Sequence, residues 1–307
     1  MTECKIVVLY VIFYWTVKYS DAVFHRSPSL GCEHYLDDYE ILKQFPFPVL
    51  INPETIHTNE SIATMYPTER VVNSLTLVEP NGVVPESIFC LKELKYLIIK
   101  NMVFSDGIVP DSLADLQILQ RLEIINTTIT KMTNQLTVLK HLYWLILVNC
   151  SLPQLPNLSN LSNVWHIELD RNHLSKLDGL DGDILSLSLS NNLFSEIPTV
   201  KIPAYVEELT MNNNPLRNII KLDSFINLER VDLHNTTLTS IPPTINKLQK
   251  LERLDLSYND LFYLPFNILE LNKLNTLFVN NNSFSDQEIE TIKTYFNMSH
   301  PNITLCI

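Results

Sequence analysis

The sequence predicts an α/β solenoid, with parallel strands on a concave face and short helical turns on a convex face. Three observations lead to this prediction. An eleven-residue pattern, Leu-x-x-Leu-x-Leu-x-x-Asn-x-Leu, begins at Leu251 and again at Leu274. The same register extends backwards to Val72 and gives about ten repeats. The flanking segments lack the pattern, as expected of caps that cover the end faces of a stack.

The repeats are set by buried anchor positions spaced by 20 to 25 residues. The first anchors are Val72, Leu94, Leu119, Leu142, Val164, Ile184, Val206, Leu228, Leu251 and Leu274. An asparagine at the ninth pattern position, here called the ladder position, should satisfy backbone groups where the chain leaves the strand. Asn172, Asn192, Asn214, Asn259 and Asn282 occupy it, and Pro80, Met102, Thr127, Cys150 and Thr236 replace it elsewhere.

The second half of many repeats follows a Pro-x-x-Ile/Leu-x-x-Leu rhythm. It begins at Pro85, Pro110, Pro242 and Pro265, and its three-residue period predicts short 3₁₀ or α turns. With the strand pattern, these residues resemble the leucine-rich-repeat family over residues 72–284, in a mixture of typical and plant-like repeats. The resemblance implies a horseshoe-shaped leucine-rich-repeat solenoid that binds partners, most often through the concave face.

The N-terminus is typical of a secretory signal peptide. Lys5 precedes an apolar run from Ile6 to Val17, and the small residues Ser20 and Ala22 precede a cleavage point after residue 22. The run is short for a membrane span, although an uncleaved anchor is the alternative. We therefore expect a signal peptide at 1–22, an N-terminal cap at 23–71, and a secreted, extracellular protein with no membrane span after cleavage.

The C-terminal segment 285–307 should close the other end. Ser285 and Glu288 form the pattern of a capping box, and Ile289, Ile292 and Phe296 share one helical face. In the N-terminal cap, Leu36, Tyr39, Leu42 and Phe45 have helical spacing, which Pro46 and Pro48 end.

Four cysteines remain after removal of the signal peptide, and the sequence does not choose among their three pairings. Cys150 occupies a ladder position, which predicts a buried thiol. Cys32 in the cap and Cys90 in the first repeat are the favoured disulfide.

The variable strand positions of repeats two to four carry apolar and aromatic residues where a solvated face should be polar. Such a patch predicts a binding surface with aromatic anchors. Its residues are Tyr96, Ile98, Ile125, Trp144, Ile146, Val148 and Trp165. The alternatives are that the cap or a loop covers the patch, or that Trp165 turns inward.

Farther along, the same face becomes polar. Arg230 and Asp232 should lie beside Arg253 and Asp255 of the next repeat, with opposite charges diagonal. This predicts either a self-neutralising ladder or a polar subsite for a charged partner group. The candidate residues are Glu168, Asp170, Glu208, Arg230, Asp232, Arg253 and Asp255.

Sequons for N-linked glycosylation are numerous. They begin at Asn59, Asn126, Asn149, Asn157, Asn160, Asn235, Asn281, Asn297 and Asn302. Four of them, at Asn126, Asn149, Asn235 and Asn281, directly precede the ladder position. Glycans there would line one lateral edge and leave the concave face or the other edge for binding.

No pattern of catalytic, metal-binding or phosphate-binding residues stands out, and five glycines offer little material for a phosphate loop. We expect no enzyme activity, no cofactor and no metal site; His166, Glu168 and Asp170 read as surface residues. The formal net charge of -12 disfavours nucleic acid as a partner. The predicted function is protein recognition, in adhesion or innate immunity; the alternative is an acidic inhibitor or scaffold that wraps a basic extracellular protein.

Overall fold

The computed structural model describes residues 31–307 except residues 56, 67 and 133. The predicted signal peptide, residues 1–22, lies outside the described residues. One sheet of thirteen strands runs through the described chain in sequence order. The strands are β1 Leu50–Ile51, β2 Ile62–Tyr66, β3 Val71–Val78, β4 Tyr96–Lys100, β5 Arg121–Ile125, β6 Trp144–Val148, β7 His166–Glu168, β8 Ser186–Ser188, β9 Glu208–Thr210, β10 Arg230–Asp232, β11 Arg253–Asp255, β12 Thr276–Phe278 and β13 Thr304–Cys306.

Every described strand pair is parallel except β2 with β3, which is antiparallel. Because each repeat adds one strand beside the previous one, equivalent residues of successive repeats stand in register. Leu97, Leu122 and Leu145 form one such column, and each is at most 1% exposed. All ten anchor residues are also buried. The predicted leucine-rich-repeat solenoid and its register are confirmed.

Short 3₁₀ turns occupy the convex side, as the proline rhythm predicts. Each of four turns begins directly after the proline that starts the pattern. These turns span Glu86–Cys90, Asp111–Asp115, Pro243–Lys247 and Phe266–Glu270. Further 3₁₀ turns span Asn134–Val138, Pro203–Tyr205 and Ile220–Ser224. Between β6 and β8 the described chain contains no helical turn, and none of the four proline patterns lies there. The repeat that begins at Ile184 follows its predecessor by only 20 residues, which leaves little chain for a turn.

The N-terminal cap contains helix α1, Asp38–Lys43, whose N-cap Asp37 accepts a hydrogen bond from the amide of Glu40. The Asp38 carboxylate accepts one from the amide of Val72 at 2.8 Å and so ties the helix to the first repeat. Leu36 was expected on the apolar face of this helix, but it precedes the N-cap and is 90% exposed. Strands β1 and β2 of the cap were not predicted. A disulfide joins Cys32 to Cys90, which confirms the favoured pairing.

The C-terminal cap is helix α2, Asp286–Ser299, followed by β13. The Ser285 hydroxyl accepts the amide of Glu288 at 3.2 Å, whereas the Glu288 carboxylate accepts the amide of Leu264. Only half of the predicted capping box therefore forms, because the acidic side chain bonds to the repeat below. Ile292 and Phe296 are buried against the last repeat, as predicted.

Candidate binding surface

Two tryptophans from adjacent repeats pack against each other at the start of strands β6 and β7, with their ring planes tilted by 56°. The Trp144 ring lies 4.6 Å from the Trp165 ring, centroid to centroid, and meets the Tyr143 ring edge-on at 6.3 Å. All three side chains are half-buried, so they offer ring surface while staying fixed by their neighbours. Trp165 neither turns fully inward nor stands alone. We call Tyr143, Trp144 and Trp165 the aromatic cluster.

Charged residues lie on the same strand face as the aromatic cluster, as the strand register predicts for Lys100, Arg121 and Glu123. The Arg121 guanidinium lies 6.0 Å from the Trp144 ring centre and bonds the Glu123 carboxylate at 2.8 and 3.1 Å. Lys100 lies 3.5 Å from the other oxygen of Glu123. One buried carboxylate is thus shared by two cations, of which Arg121 lies beside the Trp144 ring and Lys100 lies at the other end of the strands.

Two of the predicted patch residues behave differently from the rest. Tyr96 is exposed, and its hydroxyl donates to Gln120 at 3.2 Å. Ile146 is only 6% exposed, so its prediction as an exposed anchor is wrong. Its register neighbours on the adjacent strands are Glu123 and Glu168. Their longer side chains flank the shorter Ile146 side chain on both sides and shield it from solvent. Ile98, Ile125 and Val148 are half-buried.

The polar region has the predicted strand register but not the predicted pairing. Arg230 stands beside Arg253, and Asp232 beside Asp255. Arg230 pairs with Glu208 and Glu229 rather than with a diagonal aspartate. Arg253 lies over the Phe278 ring at 4.5 Å. The predicted diagonal pairing of arginine with aspartate is therefore wrong, although Arg230 is neutralised by Glu208 on the adjacent strand.

The aspartates of the polar region bond to the turns that follow the strands. Asp232 accepts the amide of His234, and Asp255 accepts both the amide and the hydroxyl of Ser257. These are Asx-type bonds to the residue two positions on. Asp255 is 9% exposed, so its prediction as a surface member of the polar subsite is wrong. The hydrogen bonds that Asp255 accepts from the Ser257 amide and hydroxyl explain its position without a ligand.

Asp170 bonds across to the next repeat. Its carboxylate accepts the Ser188 hydroxyl at 2.7 Å and the amide of Ser190 at 2.8 Å. Burial raises the pKa of Asp170 to about 6, and the nearby Glu168 carboxylate acts in the same direction. Glu168 itself is half-buried and lies 4.0 Å from His166. Of the seven predicted subsite residues, only Asp255 is buried, and the other six are exposed or half-buried.

The slot before the ladder position has a left-handed backbone in nine successive repeats. The residues with positive φ are Asn101, Asn126, Asn149, Arg171, Asn191, Asn213, Asn235, Tyr258 and Asn281. Asparagine tolerates this conformation better than most residues, which gives a backbone reason for its frequency here. The side chains of Asn101, Asn126 and Asn149 also bond in sequence along the edge, at 3.0 and 2.8 Å. All nine sequon asparagines are exposed.

The ladder position works as predicted where asparagine occupies it. The Asn172 amide oxygen accepts the amides of Cys150 and Leu152, both at 3.1 Å, and its nitrogen donates to Leu147 and Leu169 carbonyls. Cys150 is buried, as expected, and its thiol donates to the Ile124 carbonyl at 3.3 Å. Burial raises the pKa of Cys150 to about 12, so the group is an unreactive thiol.

Within the described ranges, no group of three or more histidine, cysteine, aspartate or glutamate side chains is placed to hold a metal ion. In the same residues no helix is long and apolar enough to cross a membrane.

Comparison with known proteins agrees with this architecture. The family described as "Leucine Rich repeats (2 copies)" matches residues 226–265. The described chain has the leucine-rich-repeat fold. No curated protein sequence matches it.

Solved structures of the same fold come from plants and bacteria. The ectodomain of the Arabidopsis thaliana receptor kinase GASSHO1/SCHENGEN3, in complex with CASPARIAN STRIP INTEGRITY FACTOR 2, is 27% identical with a TM-score of 0.50; the match covers 71% of this chain and 31% of that one. An internalin (inlF) from Listeria monocytogenes is 16% identical, with a TM-score of 0.54 and coverage of 76% and 79%. A plant ice-binding protein is 23% identical, with a TM-score of 0.55 and coverage of 72% and 76%. The chain thus spans less than a third of the receptor ectodomain that it matches.

Proposed function

We propose that this protein is an extracellular, non-catalytic recognition protein that binds a partner protein through the aromatic cluster on its concave face. The packed pair of Trp144 and Trp165 carries the proposal. Tryptophan and tyrosine are enriched among residues that dominate binding energies, because they bring large area with little side-chain freedom to lose. The similar receptor ectodomain, whose structure contains a bound factor, is consistent with recognition by this fold.

The bordering charges define the chemistry of the partner. Arg121, which shares the buried Glu123 carboxylate with Lys100, is the cation that lies beside the Trp144 ring. A partner that places an apolar or aromatic side chain on the cluster, with an acidic group toward Arg121, fits this surface. The same cations argue against the alternative of a basic partner at this end of the face. A basic partner would have to use Glu168 and Glu208 instead.

Secretion and glycosylation are part of the proposal. The apolar N-terminal run, the Cys32–Cys90 disulfide and nine exposed sequons support them together, because disulfides persist mainly in oxidising compartments. Enzymatic deglycosylation followed by mass spectrometry should shift the mass of peptides that contain Asn126, Asn149, Asn235 and Asn281. Unmodified peptides at all four positions would refute glycans along this edge.

The test of binding is a comparison of variants in affinity capture from the medium of cells that make the protein. Trp144→Ala should lose the captured partner, with an affinity weaker by about 30-fold, or about 2 kcal/mol. Tyr205→Ala is the matched control, because Tyr205 is an exposed aromatic residue on a convex turn. Thermal unfolding of each variant verifies the fold. A folded Trp144→Ala protein that keeps full affinity would contradict the proposal.

Salt separates the two functional alternatives. Binding through the aromatic cluster should weaken only modestly with added salt, since apolar contact dominates it. Binding of a basic protein along the acidic residues should weaken steeply, because exposed charges are screened within about 8 Å at physiological ionic strength.

A further inference from the structure

A second aromatic surface lies at the opposite end of the molecule, outside the concave face. A cavity of about 240 Å³ opens between the last convex turn, Phe266–Glu270, and helix α2. Tyr263, Phe266 and Tyr295 form its outer walls, and Phe266 and Tyr295 meet edge-on with ring centres 5.1 Å apart. The buried residues Ile292 and Phe296 form part of the remaining lining.

The exposure of these rings is high for residues of their size. Phe266 is 66% exposed and Tyr263 is 51% exposed, although polar residues commonly occupy such surface positions. The capping helix requires Ile292 and Phe296 for burial, but Tyr295 lies at its rim and is not needed to close the core. Contiguous exposed apolar rings around a cavity are a mark of a binding site.

One charged residue lines the cavity, and it is acidic. The Glu288 carboxylate accepts the amide of Leu264 at 3.4 Å through one oxygen. Among the described residues, no side-chain cation is paired with it, since the helix lysine Lys293 bonds Glu290 instead. The carboxylate therefore faces an aromatic pocket without a positive partner.

We propose that this cavity binds an arginine side chain of a partner protein. The ring faces of Tyr263, Phe266 and Tyr295 attract a cation, and the guanidinium group is planar, weakly hydrated and able to stack on aromatic rings. Its aliphatic stem can pack on the apolar lining, while Glu288 accepts its N–H groups in a charge-assisted bond. The net charge of -12 assists the approach of such a segment. This site is independent of the aromatic cluster on the concave face.

The test is an NMR titration of the intact protein with three blocked pentapeptides. They share a glycine frame and carry arginine, citrulline or leucine at the centre. Citrulline is the matched control, since it keeps the shape of arginine but lacks its charge. We expect saturable binding of the arginine peptide and binding at least about tenfold weaker for the other two. Resonances of Phe266 and Tyr295 should shift, and those of Trp144 should not.

Variants locate the binding. Glu288→Gln, which retains an acceptor for the Leu264 amide, and Phe266→Ala should each weaken the arginine peptide about tenfold. Phe262→Ala should not, because Phe262 is a nearby aromatic residue, 62% exposed, that does not line the cavity. Equal binding of citrulline, tighter binding of leucine, an equal loss with Phe262→Ala, or no saturation at about 10 mM arginine peptide would each overturn the proposal.

Discussion

The two halves of the solenoid bury the same apolar columns but satisfy their backbones differently. In the N-terminal half, strands β4, β5 and β6 each have five residues, and Met102, Thr127 and Cys150 hold the ladder position. In the C-terminal half, strands β7 to β12 each have three residues, and asparagine holds five of the six ladder positions. There the asparagine side chains bond to backbone groups of their own and the preceding repeat, as Asn192 does with Leu189, Leu169 and Leu174.

This difference bears on function. The fifth strand position is filled by Lys100, Ile125 and Val148 in the N-terminal half, whereas Asp170, Ser190 and Asn212 hold the equivalent position in the C-terminal half. The aromatic cluster lies at the end of the N-terminal half, with Tyr143 and Trp144 in the repeat of β6 and Trp165 directly before β7. The C-terminal half carries the hydrogen-bonded asparagine ladder. On its strand face, Asp232 and Asp255 bond to the turns that follow their own strands. We therefore assign recognition to the first half and structural regularity to the second.

The two end caps also differ, because only the N-terminal cap is joined to the repeats by a disulfide among the described residues. Removal of this disulfide should have the largest effect on stability. The Cys32–Cys90 disulfide spans 58 residues. Cys32→Ala with Cys90→Ala should lower the free energy of unfolding by about 4 kcal/mol, because the unfolded chain regains the freedom of that loop. Urea unfolding measures the loss. A loss below about 1 kcal/mol would show that helix α1 and strand β2 hold the cap without the disulfide.

Exchange of a ladder residue tests the comparison directly. Asn192 is buried; its oxygen accepts the amide of Leu174, and its nitrogen donates to the carbonyls of Leu169 and Leu189. Asn192→Met should cost about 3 kcal/mol, since buried backbone groups lose their partners.

The control for that exchange lies in the other half. Met102 is equally buried at the same position, and Met102→Leu should cost less than about 1.5 kcal/mol because no hydrogen bond is involved. Urea unfolding of both variants gives the two values. Equal costs would mean that the ladder asparagine contributes no more than an apolar residue, and the distinction between the halves would fail.

Asp170, at the boundary between the halves, should give a smaller effect that depends on pH. Its pKa in the folded protein is raised to about 6 from 3.8, so the folded state holds the proton more tightly than the unfolded state. The stability that protonation contributes is fully present below about pH 4 and is lost as the pH rises through 6.

Asp170→Asn removes this titration while keeping an oxygen for Ser188 and Ser190. The variant should therefore gain stability relative to the wild type between pH 4 and pH 7, by roughly 1–2 kcal/mol after allowance for partial exposure. Thermal or urea unfolding at both pH values measures the difference. A difference in unfolding free energy between the variant and the wild type that stays constant with pH would contradict the raised pKa.

The sequence predicted features that repeat locally, and the structure confirms them. Anchors such as Leu94 and Leu251 recur at fixed spacing, so their burial follows from the register alone. The ladder asparagines and the Cys150 thiol follow from the same register. Ser285 predicts the start of helix α2 because capping depends on adjacent residues.

Features that depend on neighbouring side chains were predicted less well. Ile146 and Asp255 occupy variable positions, yet both are buried. Longer neighbouring side chains shield Ile146, and a hydrogen bond from Ser257 holds Asp255 against its own turn. Strand β2 pairs with β3 outside the repeat pattern, so no periodicity indicates it. The cavity beside Phe266 joins a convex turn to a helix about 29 positions later, and only the folded cap brings Tyr295 there.

The most direct test of the central claim is hydroxyl-radical footprinting of the protein, free and bound to its captured partner. The account predicts that oxidation of Trp144 and Trp165 falls severalfold on binding, while oxidation of Tyr205 on the convex side stays unchanged. Trp144 and Trp165 that oxidise equally in both states, together with a protected Tyr205, would contradict recognition through the concave face of the N-terminal half.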